Sequence, residues 1–153
     1  MAESRFVYVT YIRTTPEKLW HALLGPEFTP QFWVGTWQQC EWKAGAAWNL
    51  MLPDGRVGDS GEVVEIDPPR RLVLSWRNEL KPEYREEGLS RMTYTLEPQG
   101  SSVKLTVVHE MGLPDSKFIE GVSQGWPHLL SSLKSLLETG ASLEETRTWP
   151  KEM

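Results

Sequence analysis

The feature that most constrains the fold is an apolar pattern near the carboxyl end, from Ser116 to Thr139, that follows a series of strand-like segments. Apolar side chains recur there at steps of three or four residues and so share one face of a helix. They are Phe118, Val122, Trp126, Leu129, Leu133 and Leu137. Such a helix would be roughly 36 Å long, enough to cross a sheet whose strands have about ten residues. One helix on a curved antiparallel sheet leaves a hollow, and we expect function to reside there.

The amino-terminal part predicts one strand and two short helices. Arg5 to Arg13 is rich in Val, Tyr, Thr and Phe, which favour strands. A helix should begin at Pro16, capped by Thr14 or Thr15, and end before Gly25. The run from Phe28 to Val34 predicts a second, brief helix.

The central part predicts an antiparallel meander. Turn sequences rich in Pro, Gly and Asp separate short β-like runs. We place six strands near 38–43, 46–52, 57–66, 71–77, 89–97 and 102–110. Together with the first strand and the few helices, this order indicates an α+β fold rather than a doubly wound parallel one.

Three further segments carry specific expectations. Asn78 to Gly88 is polar, charged and broken by proline, so it predicts an exposed loop that could act as a flap. Pro127 should kink or restart the long helix near Gln124, and Gly140 should end it. Residues 1–140 are therefore expected to form a single domain, and residues 141–153 a charged, loosely held tail in which only Trp149 docks.

Composition excludes several classes of protein. A chain of 153 residues is long enough for one domain with a substantial core. The net charge of −5 disfavours contact with nucleic acid. The lone Cys40 cannot form an intrachain disulfide, and the start of the sequence has no apolar run of signal-peptide or membrane-span length. We therefore expect a cytoplasmic protein without membrane insertion, of undetermined oligomeric state.

Three segments in this order resemble a known family. They are PEKLWHALLGPE (16–27), GEVVEIDPPRRLVLSW (61–76) and GWPHLLSSLKSLLETG (125–140). They are similar to the first helix, the central hairpin and the terminal helix of the heat-shock-protein-90 ATPase activator homologue-like family, in the START-like, polyketide cyclase-related (SRPBCC) superfamily. The resemblance implies a helix-grip fold, in which a seven-stranded curved antiparallel sheet wraps around a long carboxyl-terminal helix, with two short helices between strands 1 and 2. It also implies a deep cavity that binds lipids, aromatic compounds or polyketides in relatives. Pro127 departs from the pattern and puts the straightness of that helix in question.

No local motif indicates catalysis or metal binding. His21, His109 and His128 fall in separate elements without metal-ligand spacing, and the chain lacks a GxSxG elbow, a P-loop and a GxGxxG turn. Strand alternation places His109 on the same face as Val107, so an inward imidazole could serve as a base or be an ordinary hydrogen-bonded core group. We expect no cofactor and no metal.

The eight tryptophans have two interpretations, as core filling or as the lining of a pocket. The predicted ligand-binding residues are Phe32, Trp33, Trp48, Trp76, Tyr94, His109, Phe118, Val122 and Trp126. They predict binding of a small hydrophobic or aromatic molecule between the sheet and the terminal helix. Two alternatives stay open, a cyclase- or dehydratase-like enzyme that uses the same cavity, and a stress-response module that contacts a chaperone.

Overall fold

The computed structural model describes residues 3–149 and contains one sheet with helices packed on one side. The elements are β1 (Ser4–Ile12), α1 (Pro16–Leu24), α2 (Thr29–Phe32), β2 (Trp37–Cys40), β3 (Ala47–Met51), β4 (Val57–Asp67), β5 (Arg71–Asn78), α3 (Pro82–Arg85), β6 (Ser90–Gln99), β7 (Ser102–Met111) and α4 (Lys117–Thr139). A single 3-10 turn, Glu144–Thr146, follows α4. Within residues 3–149, no helix combines the length and the apolar character that crossing a bilayer requires.

The sheet is seven-stranded and antiparallel, in the order β1-β7-β6-β5-β4-β3-β2. The predicted α+β helix-grip fold, with its two short helices between β1 and β2, is therefore confirmed. Inward and outward residues alternate cleanly on β7, where His109 is fully buried and pairs with Phe6 of β1. Register shifts at Leu50/Met51 and Val63/Glu65 interrupt the pairing around β4 and let the sheet curve.

Gly61 is the residue that allows β4 to pass close to β5. A Cβ atom at this position would lie 1.8 Å from the carbonyl oxygen of Ser75, far inside contact distance. The Ser75 hydroxyl accepts a hydrogen bond from the backbone N–H of Glu62 at 2.9 Å, in place of the regular ladder. Any side chain at position 61 would therefore separate the two strands that form one wall of the functional site.

The long helix α4 begins and ends where its sequence predicts. Ser116 caps it by accepting a hydrogen bond from the Ile119 N–H at 3.1 Å, and Gly140 ends it in the left-handed conformation at φ 89°. The predicted restart near Gln124 is wrong, because α4 runs as one helix through Pro127, and a kink there stays a prediction. Proline removes one backbone donor, but packing of the apolar face against the sheet keeps the helix continuous.

The buried stripe of α4 differs in part from the predicted one. Phe118, Trp126 and Leu133 are buried as expected, whereas Val122, Leu129 and Leu137 are only partly buried. Ile119, Leu130 and Leu136 are buried in addition. The stripe is wide enough that one edge packs in the core and the other faces a cavity.

The two short helices join β1 to β2. Thr15 caps α1 by accepting from the Lys18 N–H at 3.3 Å, and Pro16 occupies the first position of the helix. α2 is shorter than the predicted 28–34, because Val34 has a positive φ of 46° that no helix can continue. This turn places Trp33 at the edge of the cavity.

The segment after Gly140 is packed rather than loose over its described part. Thr146 is buried, and its hydroxyl lies 2.6 Å from that of Ser132 on α4. The Thr146 carbonyl oxygen accepts a hydrogen bond from the Val34 N–H at 2.7 Å. Trp149 is half-buried, with its backbone nitrogen beside Gly35. These contacts tie the segment to α4 and to the turn after α2, while residues 150–153 of the expected tail lie outside the described part of the chain.

Candidate functional site

A cavity of about 260 Å³ lies between α4, the β4–β5 wall of the sheet and the segment after β5. α4 contributes Phe118, Gly121, Val122, Gly125, Trp126 and Leu129. The opposite wall consists of Trp33, Asp59, Trp76 and Asn78, with Lys81 and Tyr84 at the segment that contains α3. The volume is slightly below the range of about 300 to 1,000 Å³ that is usual for drug-sized ligands, so the cavity suits a compact molecule.

Two glycines on α4 help to create this space. Gly121 and Gly125 are four residues apart and therefore lie on the same face of the helix. A Cβ atom at Gly125 would meet no other atom within 4 Å, whereas one at Gly121 would lie 2.6 Å from the hydroxyl of Tyr84. The absence of side chains at these positions leaves room beside the sheet and allows Tyr84 to approach the helix.

Three tryptophans form the apolar wall. Trp33 stacks on Trp76 with ring centroids 5.8 Å apart and an interplanar angle of 22°. Trp126 lies 5.6 Å from Trp33 and 5.8 Å from Trp76. All three side chains are more than nine-tenths buried, so their positions are fixed by mutual packing and they present a preformed aromatic surface.

A chain of hydrogen bonds behind this wall fixes His109. The Trp126 indole N–H donates to His109 Nδ1 at 3.1 Å, so that nitrogen carries no proton. The Ser90 hydroxyl donates to the Trp76 carbonyl oxygen at 2.8 Å and can therefore accept from His109 Nε2–H at 2.9 Å. These partners assign the neutral Nε2–H tautomer. Burial lowers the pKa of His109 to about 3, which agrees with a permanently neutral ring.

The cavity has one polar corner, formed by Asp59, Asn78 and the indole nitrogen of Trp76. Asp59 and Asn78 are paired across β4 and β5, and Asn78 Nδ2 donates to Asp59 Oδ1 at 3.1 Å. The Asp59 residue keeps some surface at the cavity, but its carboxyl is crowded by protein atoms, and this desolvation raises its pKa to about 7. The nearby Trp76 N–H favours the charged form of Asp59. This N–H nevertheless makes no hydrogen bond of acceptable geometry to any described residue.

The segment with α3 covers one end of the cavity. Tyr84 packs edge-on against Phe118 with ring centroids 5.7 Å apart, and the Lys81 ammonium lies 5.3 Å from the centre of the Tyr84 ring. Glu87 fastens this segment to the start of α4, where its carboxylate accepts from the Ser116 hydroxyl at 2.5 Å and from the Lys117 N–H at 2.8 Å. The predicted exposed loop is therefore wrong in part, since it contains a helical turn and contributes side chains to the cavity.

Five of the nine predicted ligand-binding residues line the cavity: Trp33, Trp76, Phe118, Val122 and Trp126. The other four, Phe32, Trp48, Tyr94 and His109, are buried in the core without lining it. Strand alternation indicates the face of a residue but not its depth along that face, which explains why core and cavity residues were grouped together. Contact of any of them with a ligand stays a prediction.

Sequence reasoning missed Asp59, Asn78, Lys81 and Tyr84, together with the two glycines and Leu129. The pair of glycines four residues apart inside an otherwise strong helical pattern was the one available signal. The polar residues gave no such signal, because only the fold brings β4, β5 and α3 to the same cavity.

A second hollow beside β2 and β3 is less suitable for an apolar ligand. It is lined by Gln39, Cys40, Glu41, Ala46, Ala47 and Asn49. These side chains are short or polar and offer no aromatic surface, so the tryptophan-lined cavity is the better candidate.

Solved structures of the same fold come from several organisms. The protein MLL2253 from Mesorhizobium loti is 26% identical, and the match covers 88% of this chain and 97% of that protein with a TM-score of 0.75. CalU16 from Micromonospora echinospora is 20% identical, with 89% and 77% covered and a TM-score of 0.70. PFC0360w from Plasmodium falciparum, described as an HSP90 activator, is 21% identical, with 87% and 95% covered and a TM-score of 0.71.

Sequence comparison identifies the family directly. No curated protein matches the chain. The profile of the activator of Hsp90 ATPase homolog 1-like family matches residues 13–138, which begin just after β1, reach the last turn of α4 and include every residue that lines the tryptophan cavity. This chain therefore belongs to the activator of Hsp90 ATPase homolog 1-like family.

Proposed function

We propose that this protein binds a compact hydrophobic or aromatic molecule in the cavity between α4 and the β4–β5 wall. The observation that carries the proposal is the preformed surface of Trp33, Trp76 and Trp126, which lies beside the space left by Gly121 and Gly125 of α4. A ligand that buries about 200 Å² of apolar surface there gains about 5 kcal/mol at roughly 25 cal/mol per Å². Because the three tryptophans are already packed against one another before binding, little of that gain is lost to ordering side chains.

Filling the cavity tests the proposal without disturbing its walls. A leucine at Gly125 should occupy part of the space, because a Cβ atom there meets no neighbour. Gly125→Ala is the matched control, since it makes the same backbone change but adds one methyl group. We expect calorimetry to show binding of 2-methylnaphthalene to the wild type and to Gly125→Ala, and at least about a tenfold weaker binding to Gly125→Leu. Equal binding by the wild type and the leucine variant would refute the site, and so would the absence of binding by the wild type.

An enzymatic use of the cavity is the first alternative. His109 gives it little support, because its Nδ1 lone pair already accepts from Trp126 and its ring does not line the cavity. Burial also raises the pKa of Tyr94 far above its ordinary value, which makes a poor acid of the phenol. Asp59 is then the group on which a proton-transfer mechanism would depend, and conversion of a bound carbonyl compound that is lost in Asp59→Asn would favour the enzyme.

Contact with a chaperone is the second alternative, and it is motivated by the family to which the chain belongs and by the description of the Plasmodium protein. A change in the ATPase rate of a heat-shock-protein-90 chaperone on addition of this protein would support it. Both the binding function and this alternative would operate in the cytoplasm, where the composition predicts the protein to act.

A further inference from the structure

The polar corner of the cavity specifies the chemistry of the ligand. Resting on the proposed function, we propose that the ligand carries a neutral hydroxyl group on its aromatic ring, which accepts a hydrogen bond from the Trp76 indole N–H and donates one to the Asp59 carboxylate. Phenols and naphthols are the simplest members of this class. The remainder of the ring system would lie against the tryptophan wall.

Within the described part of the chain, the indole nitrogen of Trp76 has no well-aligned hydrogen bond. Trp76 is 3% exposed, and among residues 3–149 its N–H has no hydrogen-bond partner. A buried donor without a partner costs free energy, so such groups usually have a specific reason to exist. Trp48 and Trp126 show the normal situation, because their indole N–H groups donate to Gln38 and His109. The Trp76 N–H lies beside the Asp59 carboxyl, which lines the cavity, so an acceptor atom that enters this corner can take its hydrogen bond.

The Asp59 carboxyl group lies beside this indole nitrogen. Asn78 Nδ2 donates to Oδ1 of Asp59, and the Trp76 N–H lies close enough to favour the charged carboxyl without forming a well-aligned hydrogen bond to it. Its raised pKa shows that the surroundings stabilise the carboxylate poorly. A ligand hydroxyl would supply the missing donor, and one oxygen atom can accept from Trp76 while its hydrogen points to Asp59.

Other ligand classes match the corner less well. An organic cation would pair with Asp59, but it would leave the Trp76 N–H facing a positive charge, and the Lys81 ammonium at the cavity end adds to the repulsion. A ligand carboxylate would accept from Trp76, but it would be repelled by Asp59. A group with only an acceptor, such as an ether, would satisfy Trp76 and leave Asp59 unpaired.

Three probes of similar shape separate these possibilities. 2-Methylnaphthalene offers no polar contact, 2-methoxynaphthalene only an acceptor, and 2-naphthol both an acceptor and a donor. By calorimetry at pH 8 we expect the wild type to bind 2-naphthol about tenfold more tightly than 2-methoxynaphthalene. Asp59→Asn and Trp76→Phe should each reduce that ratio toward one. The affinity for 2-methylnaphthalene measured in each variant corrects for any change in cavity shape.

The pH dependence gives an independent readout. The preference for 2-naphthol over 2-methoxynaphthalene should increase between pH 6 and pH 8, because the ionised form of Asp59 is the better acceptor. This increase should be absent in Asp59→Asn. The charged groups near Asp59 are Glu79, which is paired with Arg77 and Arg85, and Lys81. The residues of α4 that face the cavity are uncharged, and Tyr84 is the titratable residue that α3 contributes.

Each outcome has a distinct meaning. Equal binding of the three probes would overturn the hydroxyl inference and leave the proposed binding function intact. A preference for 2-naphthol that survives in both variants, or one that is larger at pH 6 than at pH 8, would also overturn it. Failure of all three probes to bind the wild type would refute the proposed function itself.

Discussion

Trp126 of α4 donates its indole N–H to Nδ1 of His109 on β7, across 3.1 Å and inside the buried core. This bond joins the long helix to the sheet beside the cavity, and it also determines which nitrogen of the histidine carries the proton. The ring of Trp126 therefore has two roles, as a wall of the cavity on one side and as a structural donor on the other.

Removing this donor should destabilise the protein. Trp126→Phe keeps an aromatic ring but leaves His109 Nδ1 buried without a partner, which costs about 1 to 3 kcal/mol. Urea denaturation measures the free energy of unfolding. Trp37→Phe is the control, because Trp37 is 36% exposed, and we expect a change within about 0.5 kcal/mol there. Equal effects of the two substitutions would show that the hydrogen bond contributes nothing.

Asp59 should make stability depend on pH. Because the pKa of Asp59 is raised to about 7 in the folded protein, well above its ordinary value of about 4, the folded state binds more protons than the unfolded state between these limits. Stability should therefore fall as pH rises from about 4 to about 7, by up to about 4 kcal/mol. In thermal denaturation, the stability of Asp59→Asn should exceed that of the wild type by the largest amount at pH 8 and by the smallest amount near pH 4. An advantage that is the same at every pH would contradict the raised pKa.

Glu87 should hold the α3 segment over the cavity. Its carboxylate accepts from the Ser116 hydroxyl and the Lys117 N–H at the start of α4, where negative charge is favoured. Glu87→Gln should cost about 1 kcal/mol and speed amide hydrogen exchange in residues 79–89. The neighbouring Glu86 is exposed, so Glu86→Gln is the matched control and should leave exchange unchanged. Identical exchange in both variants would mean that Glu87 does not fasten the segment.

Gly61 should tolerate no side chain. An alanine Cβ would lie 1.8 Å from the Ser75 carbonyl oxygen, so β4 and β5 would have to separate. Gly61→Ala should lose more than about 3 kcal/mol of stability or fail to fold. Circular dichroism and urea denaturation measure this, with Gly125→Ala as a glycine replacement that meets no neighbour. A stable Gly61→Ala protein would contradict the close approach of the two strands.

The fold was predictable because its signals are local. The cap at Ser116, the left-handed end at Gly140 and the alternation that turns His109 inward are each determined by a few neighbouring residues. Pro127 shows the limit of such reasoning, because its unfavourable local effect is outweighed by packing of the helix on the sheet, which no local pattern reports.

The candidate site was predictable only in its apolar half. The sequence predicts Trp33, Trp76 and Trp126 as lining residues, because they are aromatic side chains on elements that face inward. The sequence does not predict Asp59 or Tyr84 as lining residues. The position of Asp59 depends on the pairing of β4 with β5, and that of Tyr84 on a helical turn inside a polar segment. Polar cavity residues are therefore determined by tertiary register, to which a single sequence gives little access.

The most direct test of ligand binding in the tryptophan cavity is an NMR titration of the wild type with 2-methylnaphthalene, observed at the indole N–H signals. We predict that the signals of Trp33, Trp76 and Trp126 shift together with one dissociation constant, while that of Trp37, on the edge strand β2, stays unchanged. Shifts confined to Trp37, or no shift of the three cavity tryptophans at saturating ligand, would contradict it.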